Sequence, residues 1–411
     1  MAINEKFKEW NNVFWEYFVS IPDKEKGETA LETKGTLLPF ASFYWNSKKG
    51  NTGDATINYS KMLIYMWLCR KNKDSEVTIP ITIEDALNVM LRLENSAYDF
   101  YKNAFPYLFD NNYDPEDKIF KKGFFVRDDI DEDKVIWGNW RMLHTLDNED
   151  PCHSPFVSQD QVWNINPALS AIMLDEENCS ENERYTASFI GNSINDYIAD
   201  NGYTIYNPYL SYIKHMTCYL PDFDLTVTER QSDRYSKFTP NIKVKRGANN
   251  WYYAGGTQSC CDAFSERKYD YNHTLRTFLY RGTIFFLDRI YEPIFKLFTG
   301  NDFKHNSYYC YAATSGIWYN KNYKKRFLKR FNKSLVKAVG NPEELFEGFI
   351  APIVLNDSKN EVDSEGLERY LDNYPSFQVD TTNAENIISN PIEALILWQF
   401  WKSIKEMNAL N

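Results

Sequence analysis

The sequence predicts one mostly α-helical domain with long loops and a small β-hairpin, and three observations carry that prediction. Apolar residues recur at helical spacing through most of the chain. Four Asn-Pro pairs, at Asn166-Pro167, Asn207-Pro208, Asn341-Pro342 and Asn390-Pro391, supply helix starts: asparagine caps, and proline at the next position forfeits no helical hydrogen bond. Strand-like alternation is confined to two short runs. With 411 residues, 43% of them hydrophobic and 17% aromatic, the chain can bury a large core. No linker, low-complexity tract or fixed-period repeat interrupts it, so a single helical domain over residues 1–411 is expected.

In chain order, residues 5–18 place Phe7, Trp10, Phe14, Trp15 and Phe18 at helical spacing. Residues 59–70 are densely apolar. Thr82 and Asp85 form a capping box, with Asp where Glu is usual, that opens a helix over 83–93. Residues 181–200 set Tyr185, Ile190, Ile194 and Tyr197 on one face and stop at Gly202, a C-cap. Pro208 opens a helix over 208–219. Leu225-Thr226-Val227-Thr228 and Ile242-Lys243-Val244-Lys245 alternate and form the expected hairpin. A long helix over 274–298, kinked near Pro293, is followed by helices over 308–319, 323–339 and 342–349. The last helix, over 391–407, carries Ile392, Leu395, Ile396, Trp398 and Phe400, a pattern that implies burial on most sides. The stretches 22–53, 105–155 and 221–256 are polar and rich in turn residues. Loops of that length inside a domain tend to carry function.

Charge narrows the partners. The net charge is −11 and the isoelectric point about 5.2, which repels nucleic acid and anionic membrane. Lys324, Lys325, Arg326, Lys329, Arg330, Lys333 and Lys337 form a basic exception, with Phe327, Phe331 and Leu335 as an apolar stripe. This reads as a solvated outer helix, with binding to nucleic acid or an acidic partner as the alternative. The first eight residues are polar, and no apolar signal core follows. The most apolar stretches, 278–298 and 392–401, are broken by charge or too short to span a bilayer. The expectation is a protein without signal peptide or membrane contact, cytoplasmic or virion-associated. Seven cysteines at irregular spacing, with no C-x-x-C, imply free thiols. His215 with Cys218, and Cys152 with His153, lack standard zinc spacing, and Gly255-Gly256 lacks the spacing of a phosphate loop. No metal or cofactor is expected.

Two polar blocks stand out among the aromatic helices: Gly123-Phe124-Phe125-Val126-Arg127-Asp128-Asp129-Ile130 and Ser158-Gln159-Asp160-Gln161. With Tyr197-Ile198-Ala199-Asp200-Asn201-Gly202-Tyr203, and with Arg246-Gly247-Ala248-Asn249-Asn250-Trp251-Tyr252-Tyr253-Ala254-Gly255-Gly256, they resemble a group of uncharacterised bacterial and phage proteins of α/α-toroid, or six-hairpin glycosidase-like, type. The resemblance implies a barrel of paired helices whose loops line a central cleft. In that pattern a helix runs straight on from the Ser-Gln-Asp-Gln block. Here Pro167 lies in its path, so the helix is expected to begin at Pro167, capped by Asn166, leaving Asp160 on a loop.

Carbohydrate chemistry matches these residue types. Glycoside cleavage uses one protonated and one ionised carboxylate, and Asp160 with Asp128 or Asp129 is the candidate pair. Arg127 can grip a hydroxyl or carboxylate, or hold an aspartate ionised. Gln159, Gln161, Arg246 and Asn250 complete the polar candidates, and Trp163, Trp251 and Tyr252 offer flat faces for sugar rings. Ordinary packing is the competing reading: residues 127–129 as a salt-bridged turn, Asp160 as a helix cap, the aromatics as core. Two functions follow. One is a glycoside hydrolase or polysaccharide lyase acting on a glycan or oligosaccharide. The other is a non-enzymatic structural or glycan-binding component of a phage virion or tail, with virion or homo-oligomer partners.

Overall fold

The computed structural model describes residues 2–46, 48–53, 55–104, 123, 125–130, 159–200, 227–231, 241–244, 362–379 and 386–410. The helices expected over 208–219, 274–298, 308–319, 323–339 and 342–349 lie outside the described residues. The chain divides into two compact units, Met1–Asp222 with Pro375–Gln399, and Phe223–Tyr374 with Phe400–Asn411.

The first unit opens with α1, Ile3–Val13, which continues into a π-helical turn, Phe14–Phe18. The aromatic spacing read from the sequence is realised: Phe7, Phe14 and Phe18 are fully buried, and Trp10 and Trp15 nearly so. The helix α2, Ala55–Lys71, is buried on every side from Ala55 to Cys69. Its polar groups are satisfied from neighbours: Tyr59 Oη donates to Ala86 O at 2.7 Å, and Tyr65 Oη to Asn11 Oδ1 at 2.9 Å. Burial raises both phenols above their ordinary range. The helix α3, Ile83–Ala104, opens on the expected capping box. The Asp85 amide donates to Thr82 Oγ1 at 3.0 Å, and the Thr82 amide to Asp85 Oδ2 at 3.3 Å. It continues eleven residues past its expected end at Leu93.

The helix α4, Gln159–Leu174, corrects the expectation of a start at Pro167. Proline lacks the amide that would bond the carbonyl four residues back, but Ile165, Ala168, Leu169, Ile172 and Met173 form a continuous buried face across it. Packing of that face outweighs one missing hydrogen bond, and Asp160 belongs to the first helical turn. The helix α5, Glu181–Asp200, has the bounds expected. Its buried residues include Ala187, Ile190 and Ile194, whereas Tyr185, expected on the same face, is 48% exposed.

These four helices form two hairpins whose ends are pinned by polar contacts. Trp67 Nε1 near the end of α2 donates to Asp175 Oδ2 just after α4, at 2.8 Å. Arg70 grips Glu183 at the start of α5 through two bonds of 2.8 and 2.6 Å. Asn182 Nδ2 donates to Glu84 Oε1 at the start of α3 at 2.7 Å. The end of α2, the start of α3, the end of α4 and the start of α5 therefore meet, so α2 runs parallel to α4 and α3 parallel to α5. Among the described residues these make two stacked helical hairpins.

A three-stranded antiparallel sheet, absent from the sequence reading, closes the first unit. Its central strand β1, Ser42–Tyr44, pairs with β2, Lys49–Asn51, and with the later strand Ile387–Ser389. Phe43 stands opposite Gly50 on one side and Ile388 on the other. A side chain at Gly50 would place its Cβ 2.2 Å from the Phe40 ring, so only glycine fits there. The final helix begins at Ile392, where the Ile392 amide donates to Asn390 Oδ1 at 2.9 Å, the cap expected of the Asn-Pro pair. Trp398 on that helix stacks on Phe7 at 5.7 Å and donates to Asn4 Oδ1 at 2.9 Å.

In the second unit, β3, Val227–Gln231, and β4, Asn241–Val244, pair antiparallel. The expected hairpin is present, with its first strand displaced two residues toward the turn. The helix α6, Ser364–Asn373, is capped by Asp363, whose Oδ1 accepts from the Gly366 amide at 2.8 Å, and buries Leu367, Tyr370 and Leu371. Strand Ile387–Ser389 is β5 and helix Ile392–Leu410 is α7. Glu368 on α6 pairs with Lys405 on the distal part of α7 at 2.7 Å.

Candidate functional site

The first polar block lies where α2 begins and where α3 passes its midpoint. Phe125, Val126 and Ile130 are buried and anchor it. The Val126 amide donates to Leu93 O at 3.3 Å, and the Arg127 carbonyl accepts from Thr56 Oγ1 in the first turn of α2. Gly123 sits at φ 88° with its Cα against the Ser193 carbonyl. A Cβ there would lie 2.0 Å from Ser193 O, so the chain turns inward past α5 only with glycine at this place.

Asp129 is the hub. Its carboxylate accepts from Arg92 Nε at 2.7 Å, Arg92 Nη2 at 3.1 Å, the Gly35 amide at 2.9 Å and Ser96 Oγ at 3.4 Å. Arg92 in turn donates to Ala30 O, Thr36 Oγ1 and Thr36 O, at 2.5, 2.9 and 2.7 Å. All five guanidinium N–H groups are thus engaged, in the fork geometry that arginine alone provides. Both side chains are sealed from water, at 3% and 2% exposure. One ion pair therefore ties the loop carrying residues 30–36, helix α3 and the segment 125–130 into a single body.

Asp128 is fully buried beside this pair, and Arg127 is half-buried. Gln159, Asp160 and Trp163 lie in the first two turns of α4, and Gln161 in the same turns is fully buried. Because α2 and α4 run parallel, these turns lie at the end of the hairpin stack where Thr56 meets Arg127. The two acidic motifs thus share one end of the first unit. Arg246, Asn250, Trp251 and Tyr252 lie outside the described residues. Arg92, Ser96 and Thr36 were missed by sequence reading. The available signal was an arginine and a serine, four residues apart, interrupting the apolar run of α3 at Val89, Met90 and Leu93.

The opposite end of the stack carries the Arg70–Glu183 pair. Burial tends to raise the Glu183 carboxyl, but the Arg70 guanidinium and the Ser180 amide outweigh it and hold it below the usual range. Beside it, burial pushes the Cys179 thiol up to about 12, so it stays protonated. Cys69 and Cys179 are both buried, and neither is in a disulfide. Among the described residues, no cluster of three His, Cys, Asp or Glu side chains could hold a metal, and no helix is long and apolar enough to cross a membrane.

No family model, curated protein or solved structure matches this chain.

Proposed function

We propose that this chain is a non-catalytic glycan-binding protein in which the first acidic block is a strut of the scaffold. One observation carries the reading: the Asp129 carboxylate accepts four hydrogen bonds in a water-free pair with Arg92. A general acid or base must exchange protons with substrate or solvent, and a carboxylate so engaged serves architecture. Asp128, with no exposed surface, fits the same role. The glycan as ligand is supported by the aromatic wealth of the chain and by the resemblance of its polar blocks to six-hairpin glycosidase-like proteins.

The test is a glycan array with the full-length protein, followed by a reducing-sugar release assay on every glycan bound. Binding without release is the expected outcome. A second reading, a glycoside hydrolase or lyase, is favoured by the parallel run of α2 and α4, which brings Asp160 to the same end as Asp128. Release of product that disappears in Asp160→Asn, with the melting temperature unchanged, would establish that reading and reject ours.

A further inference from the structure

We propose that the end of the hairpin stack carrying Arg70 is an acid-released clasp. Proton uptake by Asp175 and Glu183 frees the turn between α4 and α5 from the end of α2, while the Arg92–Asp129 end stays shut.

Each of the two carboxylates holds a local and a distant partner at once. Asp175 Oδ2 accepts from Trp67 Nε1 of α2 at 2.8 Å, and Asp175 Oδ1 accepts from the Asn178 amide at 3.1 Å and from Asn178 Nδ2 at 2.9 Å. Glu183 takes both of its bonds to Arg70 of α2 while its Oε2 also accepts from the Ser180 amide at 2.9 Å. The Glu183 amide donates back to Ser180 Oγ at 3.2 Å, which completes a capping box at the start of α5. Bonds to an ionised acceptor are roughly twice as strong as neutral ones. A proton on either acid therefore loosens the turn and its hold on α2 in one step.

The two ends of the stack differ in their access to water. Arg92 and Asp129 are 3% and 2% exposed, whereas Arg70 is 35% exposed beside Glu183 at 7%. Among the described residues, Arg70 is the one cation paired with either acid. The other charged groups around the turn are committed elsewhere or exposed. Arg184 donates to Met173 O at 2.9 Å and to Glu176 at 2.6 Å, Glu84 of α3 accepts from Asn182, Lys71 lies over the Trp67 ring, and Glu181 is exposed. The Cys179 thiol between the acids stays protonated. Arg70 and Ser180 hold the Glu183 carboxyl below its ordinary range, so the clasp is shut at neutral pH and gives way as pH falls through the folded-state value.

The experiment is amide hydrogen exchange of the full chain, read by mass spectrometry and corrected for the intrinsic rate at each pH. Peptides over residues 62–74 and 173–186 report the clasp, and peptides over 88–97 and 125–130 report the sealed end. Between about pH 5 and pH 3, protection of the first pair should fall about tenfold, the loss expected of charge-assisted bonds at a site that water reaches. The second pair should keep its protection. The double variant Asp175→Asn with Glu183→Gln imitates the protonated state, so it should show the same loss at pH 7 and little further change on acidification. Protection that falls at both ends together, or a double variant as protected as the wild type at pH 7, overturns the clasp. If the variant does not fold, the wild-type pH series decides by itself.

Discussion

Replacing Asp129 by alanine should unfold a large part of the first unit's stability margin. The substitution leaves the Arg92 guanidinium at 3% exposure with no counter-charge, and it orphans the Gly35 amide. Two unit charges about 4 Å apart interact by roughly 4 kcal/mol at an effective dielectric constant of 20. Breaking one side of a buried pair costs about 3–5 kcal/mol, consistent with that figure. Marginal stabilities of about 5–15 kcal/mol make such a loss readily visible. Arg92→Met is expected to cost at least as much, because the Ala30 and Thr36 carbonyls then lose their donors too. The pair acts as a unit, so the double variant Arg92→Met with Asp129→Ala should fall short of additivity by about 2–3 kcal/mol. Urea unfolding followed by tryptophan fluorescence measures all three. A loss under about 1 kcal/mol for Asp129→Ala, or strict additivity, would refute the assignment of Asp129 to the scaffold.

Three other expectations are open to direct measurement. Glu183 has a folded-state pKa below its unfolded value, so its contribution is present above the unfolded carboxylate range and is lost as pH falls through the folded value. Glu183→Gln should therefore flatten the decline of melting temperature between about pH 5 and pH 3, and an unchanged slope would contradict the Arg70 contact. Gly50→Ala should cost about 1–3 kcal/mol by driving a methyl group into the Phe40 ring, with Phe40→Leu recovering part of it in denaturant unfolding. Pro167→Ala should raise stability by about 1 kcal/mol or more, by restoring a hydrogen bond inside α4. A loss in the same assay would return the helix start to Pro167.

What the sequence made legible is what is local. The Thr82–Asp85 box and the Asn390 cap are decided within three residues, and both form as expected. The bounds of α5 follow from apolar spacing and the glycine beyond its end, and α1 starts two residues earlier than expected and gives way to π geometry in its last turn. Reading failed where distant chain segments decide. The helix expected to end at Leu93 runs on to Ala104, and Ser96 beyond that expected end faces Asp129 across a separation of 33 residues. Pro167 looked like a start because the packing that carries α4 through it comes from another hairpin. β1 and β5 are three residues each, too short to show alternation, and their pairing spans the chain. For the site, the Asp128–Asp129 block was visible as an anomaly. Its partner Arg92 was not, since nothing in sequence ties an arginine in a helix to an aspartate 37 residues later.

The joining of residues 4–51 to residues 386–398 has a consequence for biogenesis. On the ribosome, the early aromatic stripe of Phe7 and Trp10 emerges about 380 residues before Ile388 and Trp398 exist to cover it. At about 5–20 residues per second, that is a delay of roughly 20–75 s. For that interval the nascent chain carries a greasy, uncovered segment, and chaperone occupancy on stalled chains ending before residue 386 should far exceed that on released protein.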